Sequence, residues 1–375
     1  MNKLKTIHIH TDYKFVNISV IFDGELFENE SIVFQNKVPF TGNIPHPTKS
    51  LGHNIRGLIQ TLKICRNADL VVLYDLNLIK CLIAIFLSNK VKIAWRFFGY
   101  ELYAQKESLV MSKKTIAYKS RGKHLLNSLV DFIKPKIILN YIFNKAIKRI
   151  NYMLVLSSEE YVFLKNNWGA LPAFIKIPHS YFDDSLLLPQ KKQVSSSKPV
   201  IIIGNNRSSY NNHLDIIDII DSNPNRHNFH FTLLFNYGPK GAYYDQVKKQ
   251  IFDKPYYSLI EDFLSQKKFN KLYENIDALV INSYRQMAGA NIFSALKNGV
   301  KVYLSDKNIF KEWMLNEGIA VFSTVNFDTD LKNNDIKLSV EMAKKNLEQL
   351  KKFSKRYTKE NFMEIMYHKI TNNRP

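Results

Sequence analysis

Residues 201–213 read Ile-Ile-Ile-Gly-Asn-Asn-Arg-Ser-Ser-Tyr-Asn-Asn-His, a β-branched run that passes through a glycine into a polar loop. Apolar residues at helical spacing follow over residues 213–220. A strand that leads through such a loop into a helix directs backbone N–H groups and a helix N-terminus at one point, where phosphate binds well. We therefore predict a strand, an anion-binding loop and a helix of a Rossmann-like sheet. An ordinary strand-to-helix connection is the alternative, because the full glycine fingerprint is absent.

The same alternation of strands and helices extends in both directions from this stretch. Before it, strands are predicted at residues 5–10, 31–34, 68–74, 92–97 and 152–156, and helices at 54–66 and 76–88. After it, strands are predicted at 229–235, 277–281 and 301–304, and helices at 243–252 and 291–298. This pattern predicts an α/β chain of two Rossmann-like domains with mostly parallel sheets, facing each other across a ligand-binding cleft.

The boundary between the two domains is predicted from composition. Residues 188–199 are polar, rich in serine and flanked by prolines, which is typical of a linker. We predict an N-terminal domain over residues 1–190 and a C-terminal domain over residues 198–355. A helix over residues 356–375 is expected to pack back on the N-terminal domain.

Composition restricts the class of protein. The chain has 375 residues with 45% hydrophobic content, which excludes a disordered chain, and a net charge of +20, which indicates an anionic partner. Its two cysteines, Cys65 and Cys81, are too few for a disulfide scaffold, so a reduced cytoplasmic location is expected. No signal peptide is recognised, and no stretch approaches the roughly 20 consecutive apolar residues of a membrane-spanning helix.

The most basic region covers residues 106–149, with 11 Lys or Arg against Glu107 and Asp131. Its basic residues alternate with apolar ones, a pattern typical of a helix that lies on an anionic membrane. A solvated helical hairpin packed on the sheet is one alternative. A nucleic-acid surface is another, although no helix-turn-helix, zinc-finger or RNP motif accompanies the charge. We expect a peripheral protein on the inner face of the cytoplasmic membrane, with no nucleic-acid partner.

A second polar loop, residues 283–291, follows the predicted strand 277–281 and leads into a helix. Its Arg285 can pair with phosphate in a bidentate manner, and the helix N-terminus adds a favourable field. Two such loops at one edge of the sheet fit a diphosphate better than a single loop does. The alternative is that Arg285 is an ordinary solvated surface charge. Tyr237 and Gly238 follow a third predicted strand. The tyrosine ring could stack on a base or sugar, or the segment could be an ordinary turn whose tyrosines belong to the core.

Two residues of the N-terminal half are candidate general bases towards a hydroxyl nucleophile. Glu101 follows the predicted strand 92–97, and His10 ends the first strand. A helix-capping or surface glutamate is the alternative for Glu101. The paired His8 and His10 lack a third ligand at useful spacing, so no metal site is predicted.

Three stretches resemble glycosyltransferase family 56, the TDP-N-acetylfucosamine:lipid II N-acetylfucosaminyltransferases of enterobacterial common antigen synthesis. Gly204-Asn205 with Asn211 and His213 resembles the family's Gly-Asn-Ser and Asn-x-His pattern. Arg285-Gln286 resembles its Arg-Gln-Gln, and residues 95–103 resemble its Trp-x-x-Trp-Gly-x-Asp-Leu-Tyr. The resemblance covers nearly the whole chain. It implies a GT-B fold with the nucleotide sugar on the C-terminal domain and no bound metal or cofactor.

From the loops and the resemblance together we assign nucleotide-sugar binding to ten residues: Gly204, Asn205, Asn211, His213, Tyr237, Gly238, Arg285, Gln286, Gly289 and Asn291. The chain departs from the family pattern where Phe98 replaces the second Trp and Glu101 replaces the Asp. It also departs at residues 287–289, where the family has Gln-Gly-x-Gly, so the sugar itself stays open.

The resemblance implies transfer of an N-acetylfucosamine-like deoxy-amino sugar, or a 6-deoxy sugar, from a dTDP-sugar to a lipid-linked or lipopolysaccharide acceptor. Either Glu101 or His10 would deprotonate the acceptor hydroxyl. One alternative is a GT-B transferase that uses a UDP- or GDP-hexose in surface polysaccharide synthesis. From a different class, a basic nucleic-acid-binding protein is also compatible with the charge.

Overall fold

The computed structural model describes residues 2–34, 44–120, 129–178 and 198–372, without the side chains of residues 14, 120 and 129–137. The contacts within the chain divide it into two compact units. Unit 1 comprises Met1–Leu102, Leu126–Ser180 and Tyr357–Pro375. Unit 2 comprises Tyr103–Leu125 and Tyr181–Arg356.

Over the described residues, unit 1 contains one parallel sheet of seven strands. In chain order these are β1 (Leu4–His10), β2 (Phe27–Phe34), β3 (Thr48–Leu51), β4 (Leu70–Tyr74), β5 (Lys92–Arg96), β6 (Tyr152–Val155) and β7 (Ala173–Lys176). Their order across the sheet is β3-β2-β1-β4-β5-β6-β7. The order reverses between β1 and β4, and ligands of open α/β sheets bind at the carboxyl ends of strands at such a reversal.

Unit 2 has a second parallel sheet, with six strands in the described ranges. They are β8 (Val200–Ile203), β9 (His230–Leu234), β10 (Tyr257–Ile260), β11 (Ala278–Ile281), β12 (Lys301–Leu304) and β13 (Phe322–Ser323). The order is β10-β9-β8-β11-β12-β13, so the reversal lies between β8 and β11. These are the strands that the two predicted anion-binding loops follow.

Helices connect the strands of both sheets. They are α1 (Ile55–Cys65), α2 (Leu78–Phe86), α3 (Tyr100–Tyr103), α4 (Glu107–Val110), α5 (Lys113–Ser120), α6 (Leu129–Arg149), α7 (Ser158–Trp168), α8 (His213–Ser222), α9 (Ala242–Ile251), α10 (Gln266–Glu274), α11 (Gly289–Lys297), α12 (Ile309–Asn316), α13 (Thr324–Asn333), α14 (Val340–Arg356) and α15 (Lys359–Thr371). Short 3-10 helices cover Tyr13–Phe22, Ser209–Asn211 and Pro224–Asn228. Across the described part of the chain, no helix is both long and apolar enough to span a bilayer.

Each sheet is the centre of its own core. In unit 2, Ile201 and Ile203 of β8 pack with Leu214 of α8 and Phe231 of β9. In unit 1, the core around Leu70 and Val72 of β4 also contains Phe362 and Met366 of α15. Helix α15 therefore packs on the sheet of unit 1.

The compact units and the predicted domains divide the chain differently. Residues 103–125 group with unit 2, although they precede the predicted linker. The Ser112 backbone N–H donates to Asn212 Oδ1 at 2.9 Å, and Ser112 Oγ donates to Asp215 Oδ2 at 2.7 Å. The basic region 106–149 is thus split between the units, and its residues 121–128 lie outside the described residues, as does most of the predicted linker.

Helix α1 buries its small residues and exposes apolar ones. Its buried side is formed by Gly57, Thr61 and Cys65, whereas Ile55 and Ile59 are 75% and 48% exposed. A Cβ on Gly57 would lie 2.0 Å from the carbonyl oxygen of Gly52, so this side of the helix accepts only glycine at that position. Helix α1, which the sequence predicts at residues 54–66, therefore faces the core with small residues and leaves Ile55 and Ile59 exposed.

Candidate functional site

The loop after β8 is shaped by Gly204 and three asparagines. Gly204 has φ of +70°, and a Cβ there would lie 2.6 Å from His213 Nε2. The backbone N–H of Asn205 donates to Asn211 Oδ1 at 3.3 Å, and Asn211 Nδ2 donates to the carbonyl of Asn206 at 3.0 Å. The structure thus brings together Gly204, Asn205, Asn211 and His213 in one preformed loop.

His213 supports this loop in its neutral form. The side chain is fully buried, the backbone N–H donates to Tyr243 Oη at 2.7 Å, and ring Nδ1 lies 3.1 Å from the same oxygen. Burial lowers the pKa of His213 to about 3, against a weaker opposing effect from the backbone of Asn206. His213 therefore holds the loop against α9 and does not supply a positive charge to an anion.

Two asparagines tie the loops after β8 and β11 together. Asn212 Nδ2 donates to the carbonyl of Asn282 at 2.9 Å, and Asn282 Nδ2 donates to the carbonyl of Asn212 at 3.3 Å. Both residues are buried. The sequence analysis missed this pair, whose signals were Asn282 directly after β11 and Asn212 directly before α8.

Arg285 is held between two aromatic rings. Its guanidinium carbon lies 4.6 Å from the ring centre of Tyr210 and 5.4 Å from that of Tyr103. Within the described residues, its buried Nε and Nη1 atoms have no hydrogen-bond partner. Buried donors without acceptors are costly, so an anion with oxygen acceptors would be stabilised here. Tyr103 and Tyr210 were not among the predicted site residues.

Helix α11 begins in the same loop as Arg285, after a strained residue. Ala288 precedes the helix with φ of +64°, and its side chain makes no capping hydrogen bond. A non-glycine residue in this conformation is strained by about 1 kcal/mol or more, and such strain is concentrated at functional sites. Gln286 and Asn291 are buried, and Asn291 Nδ2 donates to Tyr273 Oη at 2.7 Å. The first-turn N–H groups from Gly289 onward therefore have no side-chain cap.

The predicted third loop joins the first one. The hydroxyl of Tyr237 accepts from Asn205 Nδ2 at 3.4 Å, and its side chain is 47% exposed. Gly238 has φ of +115°, and its carbonyl accepts from Arg207 Nε at 2.6 Å. An exposed ring thus lies at the carboxyl end of β9, beside the loop of Gly204.

In unit 1, Glu101 lies on α3, directly after β5. Its side chain is 7% exposed, and Oε1 accepts from Trp95 Nε1 at 3.3 Å and from the backbone N–H of Phe98 at 3.4 Å. Burial raises the pKa of Glu101 to about 7, and the charge of Asp75 acts in the same direction. A carboxylate with this pKa is suited to accept a proton near neutral pH.

His10 lies deeper at the same edge of the sheet. It is fully buried, with its ring stacked 4.1 Å from that of Tyr74. Burial holds the pKa of His10 well below its usual range, with smaller effects of the same sign from His8, Lys80 and His46. Among the described residues, no group of three His, Cys, Asp or Glu side chains is arranged to hold a metal ion.

The sequence analysis also missed a polar cluster at the reversal of strand order in unit 1. Lys80 Nζ lies 2.8 Å from Asp75 Oδ1 and 2.7 Å from Thr11 Oγ1. Lys80 is fully buried. The available signal was Asp75, a carboxylate directly after a strand of five apolar residues.

Solved structures resemble this chain over its full length. A glycosyltransferase from Rickettsia africae ESF-5 has a TM-score of 0.63 and 14% identity, over 100% of both chains. WaaG, a glycosyltransferase involved in lipopolysaccharide biosynthesis, has a TM-score of 0.58 and 11% identity, over 98% of this chain and 100% of that one. The chain has the GT-B fold. The predicted fold class is confirmed.

A third similar structure is the lipopolysaccharide outer core galactosyltransferase WaaB in its apo form. Its TM-score is 0.57 at 12% identity, over 99% of this chain and 98% of that one. No protein-family model and no curated protein sequence matches the chain. At these identities the likeness establishes the GT-B fold, and the activity has to be argued from the site.

Proposed function

We propose that this protein is a glycosyltransferase that binds the diphosphate of a nucleotide sugar on unit 2. The observation that carries the proposal is Arg285, a guanidinium with buried, unmet donors at the reversal of strand order. The uncapped start of α11 follows in the same loop. A diphosphate supplies the oxygen acceptors and the negative charge that both features lack.

The same features account for the chemistry of transfer. The acceptor oxygen bonds to the anomeric carbon, and the bond from that carbon to the phosphate oxygen breaks with its electron pair left on the nucleoside diphosphate. Arg285 and the N–H groups of α11 stabilise the charge that develops there. Glu101, whose pKa burial raises to about 7, accepts the proton of the acceptor hydroxyl, and His10 is the alternative base.

The donor is proposed to be a dTDP-linked deoxy-amino or 6-deoxy sugar. Support comes from the resemblance to family 56 at Gly204-Asn205 and Arg285-Gln286, residues that lie in the two loops at the edge of the second sheet. A UDP- or GDP-hexose is the alternative donor. The acceptor is proposed to be a lipid-linked or lipopolysaccharide oligosaccharide, reached from the inner face of the cytoplasmic membrane.

Calorimetric titration with dTDP, UDP and GDP tests the diphosphate site. Arg285→Ala should weaken binding of the preferred nucleotide by about 100-fold, since it removes a charged partner from a buried pair. Lys345→Ala, which removes one exposed positive charge from the same unit, should bind as the wild type does.

The outcomes of this titration separate the levels of the proposal. Equal affinity of Arg285→Ala and wild type for all three nucleotides would contradict the diphosphate site. A preference for UDP or GDP that Arg285→Ala abolishes would keep the site and replace the dTDP donor by the alternative.

A further inference from the structure

A buried ion pair lies at the carboxyl end of β4, next to β5, the strand that Glu101 follows, and the backbone N–H of Asp75 donates to the carbonyl of Arg96 at the end of β5 at 3.2 Å. Lys80 of α2 is fully buried, and its Nζ donates to Thr11 Oγ1 and to the carbonyl of Tyr74. The same Nζ lies 2.8 Å from Asp75 Oδ1 and forms an ion pair with that carboxylate. Thr11 Oγ1 in turn donates to Asp75 Oδ2 at 2.9 Å. The lysine is therefore fixed in place by residues that follow two neighbouring strands, β1 and β4.

The backbone of Asp75 is strained. It has φ of +68° directly after β4, a conformation that non-glycine residues adopt at a cost of about 1 kcal/mol or more. A buried ion pair is itself a weak source of stability, because desolvation of both charges offsets their attraction. Strain and a buried pair at the reversal of strand order thus point to a role other than stabilising the fold.

Glu101 is within the field of both charges. Ionisable groups near Glu101 or its ion-pair neighbours lie on four elements: Asp75 after β4, Lys80 and Cys81 on α2, Tyr100 on α3, and His10 of β1, on which Lys80 acts. Of these, Asp75 and Lys80 form the ion pair, whereas burial raises the pKa of the Cys81 thiol and of the Tyr100 hydroxyl and lowers that of His10.

We propose that the Asp75–Lys80 ion pair is a positioning element that sets the pH at which the Glu101 carboxyl ionises. The proposal rests on the proposed function, in which Glu101 is the general base. Asp75 disfavours the Glu101 carboxylate and Lys80 favours it, so the two effects oppose each other when both residues are present. Removal of either residue leaves the other uncompensated and should move the ionisation of Glu101 in opposite directions.

Carbon-13 NMR of protein labelled at the glutamate carboxyl carbon measures this ionisation without substrate. The Glu101 signal is assigned by its loss in Glu101→Gln. The midpoint should lie near pH 7 in the wild type. It should fall by about one pH unit in Asp75→Asn and rise by about as much in Lys80→Met.

A matched control separates charge from packing. Thr11→Val removes a hydrogen bond to both members of the pair but no charge, and should leave the midpoint unchanged. The double variant Asp75→Asn/Lys80→Met removes both charges and should return the midpoint towards that of the wild type.

Midpoints that are equal in all variants, or that move in the same direction in Asp75→Asn and Lys80→Met, overturn the proposal. If Lys80→Met does not fold, Asp75→Asn and Thr11→Val decide the proposal. A midpoint that falls in Asp75→Asn but not in Thr11→Val supports it, and equal midpoints overturn it. The pH profile of sugar transfer is read separately. A shifted titration midpoint with an unshifted pH profile would leave the ion-pair proposal standing and remove Glu101 from the role of base.

Discussion

Gly204 lies where the loop proposed to bind the diphosphate leaves β8, in a left-handed conformation and close to His213. Gly204→Ala should destabilise the protein by about 1–3 kcal/mol, because the new methyl group meets both a strained backbone and a buried ring. The displaced loop should also bind nucleotide more weakly. Thermal unfolding and calorimetry measure the two effects.

Gly241→Ala is the matched control for Gly204→Ala. Gly241 precedes α9 with extended backbone, and a Cβ there would contact nothing within 4 Å. This variant should unfold and bind nucleotide as the wild type does. Unchanged stability and binding in Gly204→Ala would show that the loop adapts and that glycine is not required there.

Single residues of the site differ in how far the sequence predicts them. Gly204 and Arg285 are predictable because each follows a recognisable buried strand and precedes a helix. Tyr103 is not, because it precedes Arg285 by some 180 positions in sequence and its contact with the guanidinium exists only in the folded chain. Lys80 is likewise missed, since a lysine in a helix ordinarily lies in solvent.

At the scale of elements, β1 carries two histidines into the interior of unit 1. His8 is fully buried, lies 2.9 Å through Nε2 from Asn29 Oδ1, and has a pKa that burial lowers to about 3. In the unfolded chain His8 titrates near 6.5, so between pH 6.5 and 3 the unfolded state binds the extra proton. Stability contributed by neutral His8 is therefore complete above pH 6.5 and is lost as the pH falls.

Thermal unfolding at pH 7 and pH 5 measures this effect. The wild type should lose about 2 kcal/mol of stability from His8 alone between these values. His8→Gln should be less stable than the wild type at pH 7 but should lose less on acidification. An equal loss of stability in both proteins would contradict the assignment of this pH dependence to His8. His227→Gln, at an exposed position of unit 2, serves as the control.

The inner strands were predictable as elements because both faces of a parallel sheet are covered, so strands such as β4 and β8 read as continuous apolar runs. The four edge strands, β3, β7, β10 and β13, were not predicted, because they are short and less deeply buried. The strand predicted at residues 301–304 is β12 to the residue, and the helix predicted at 291–298 begins two residues earlier, at Gly289. The buried side of α1 was not predictable from hydrophobicity. Close approach of Gly57 to Gly52 selects small residues there and leaves Ile55 and Ile59 outside.

For the whole molecule, the two successive α/β units follow from the repeated alternation of strands and helices. The division of the chain between them does not, because residues 103–125 join unit 2 through contacts such as Ser112 with Asn212, which are 100 positions apart. Such a pairing leaves no local pattern. This division separates the predicted membrane region 106–149 into two parts. The described part that belongs to unit 1 is α6.

The proposed contact with an anionic membrane is expected on helix α6, which exposes apolar and basic side chains. Phe143, Ala146 and Ile147 are buried, whereas Ile138 and Tyr141 are 58% and 67% exposed. The exposed Lys145 and Lys148 lie on the same helix. Apolar side chains that enter the lipid boundary, with basic residues at its surface, are the combination that binds peripheral helices to anionic bilayers.

Flotation with phosphatidylcholine vesicles, with and without phosphatidylglycerol, tests this surface. The wild type should float only with the anionic vesicles, and Lys145→Glu/Lys148→Glu should reduce its partitioning by about 30-fold, since each basic residue near the surface contributes about 1 kcal/mol. Tyr141→Ser should weaken binding by loss of buried apolar area, while Val162→Ser, at an exposed apolar position on α7, should not. Equal flotation of all variants would place the contact elsewhere on the chain. Failure of the wild type to float with either kind of vesicle would contradict peripheral binding. The nucleotide site on unit 2 would not be affected by that result, because it is tested separately.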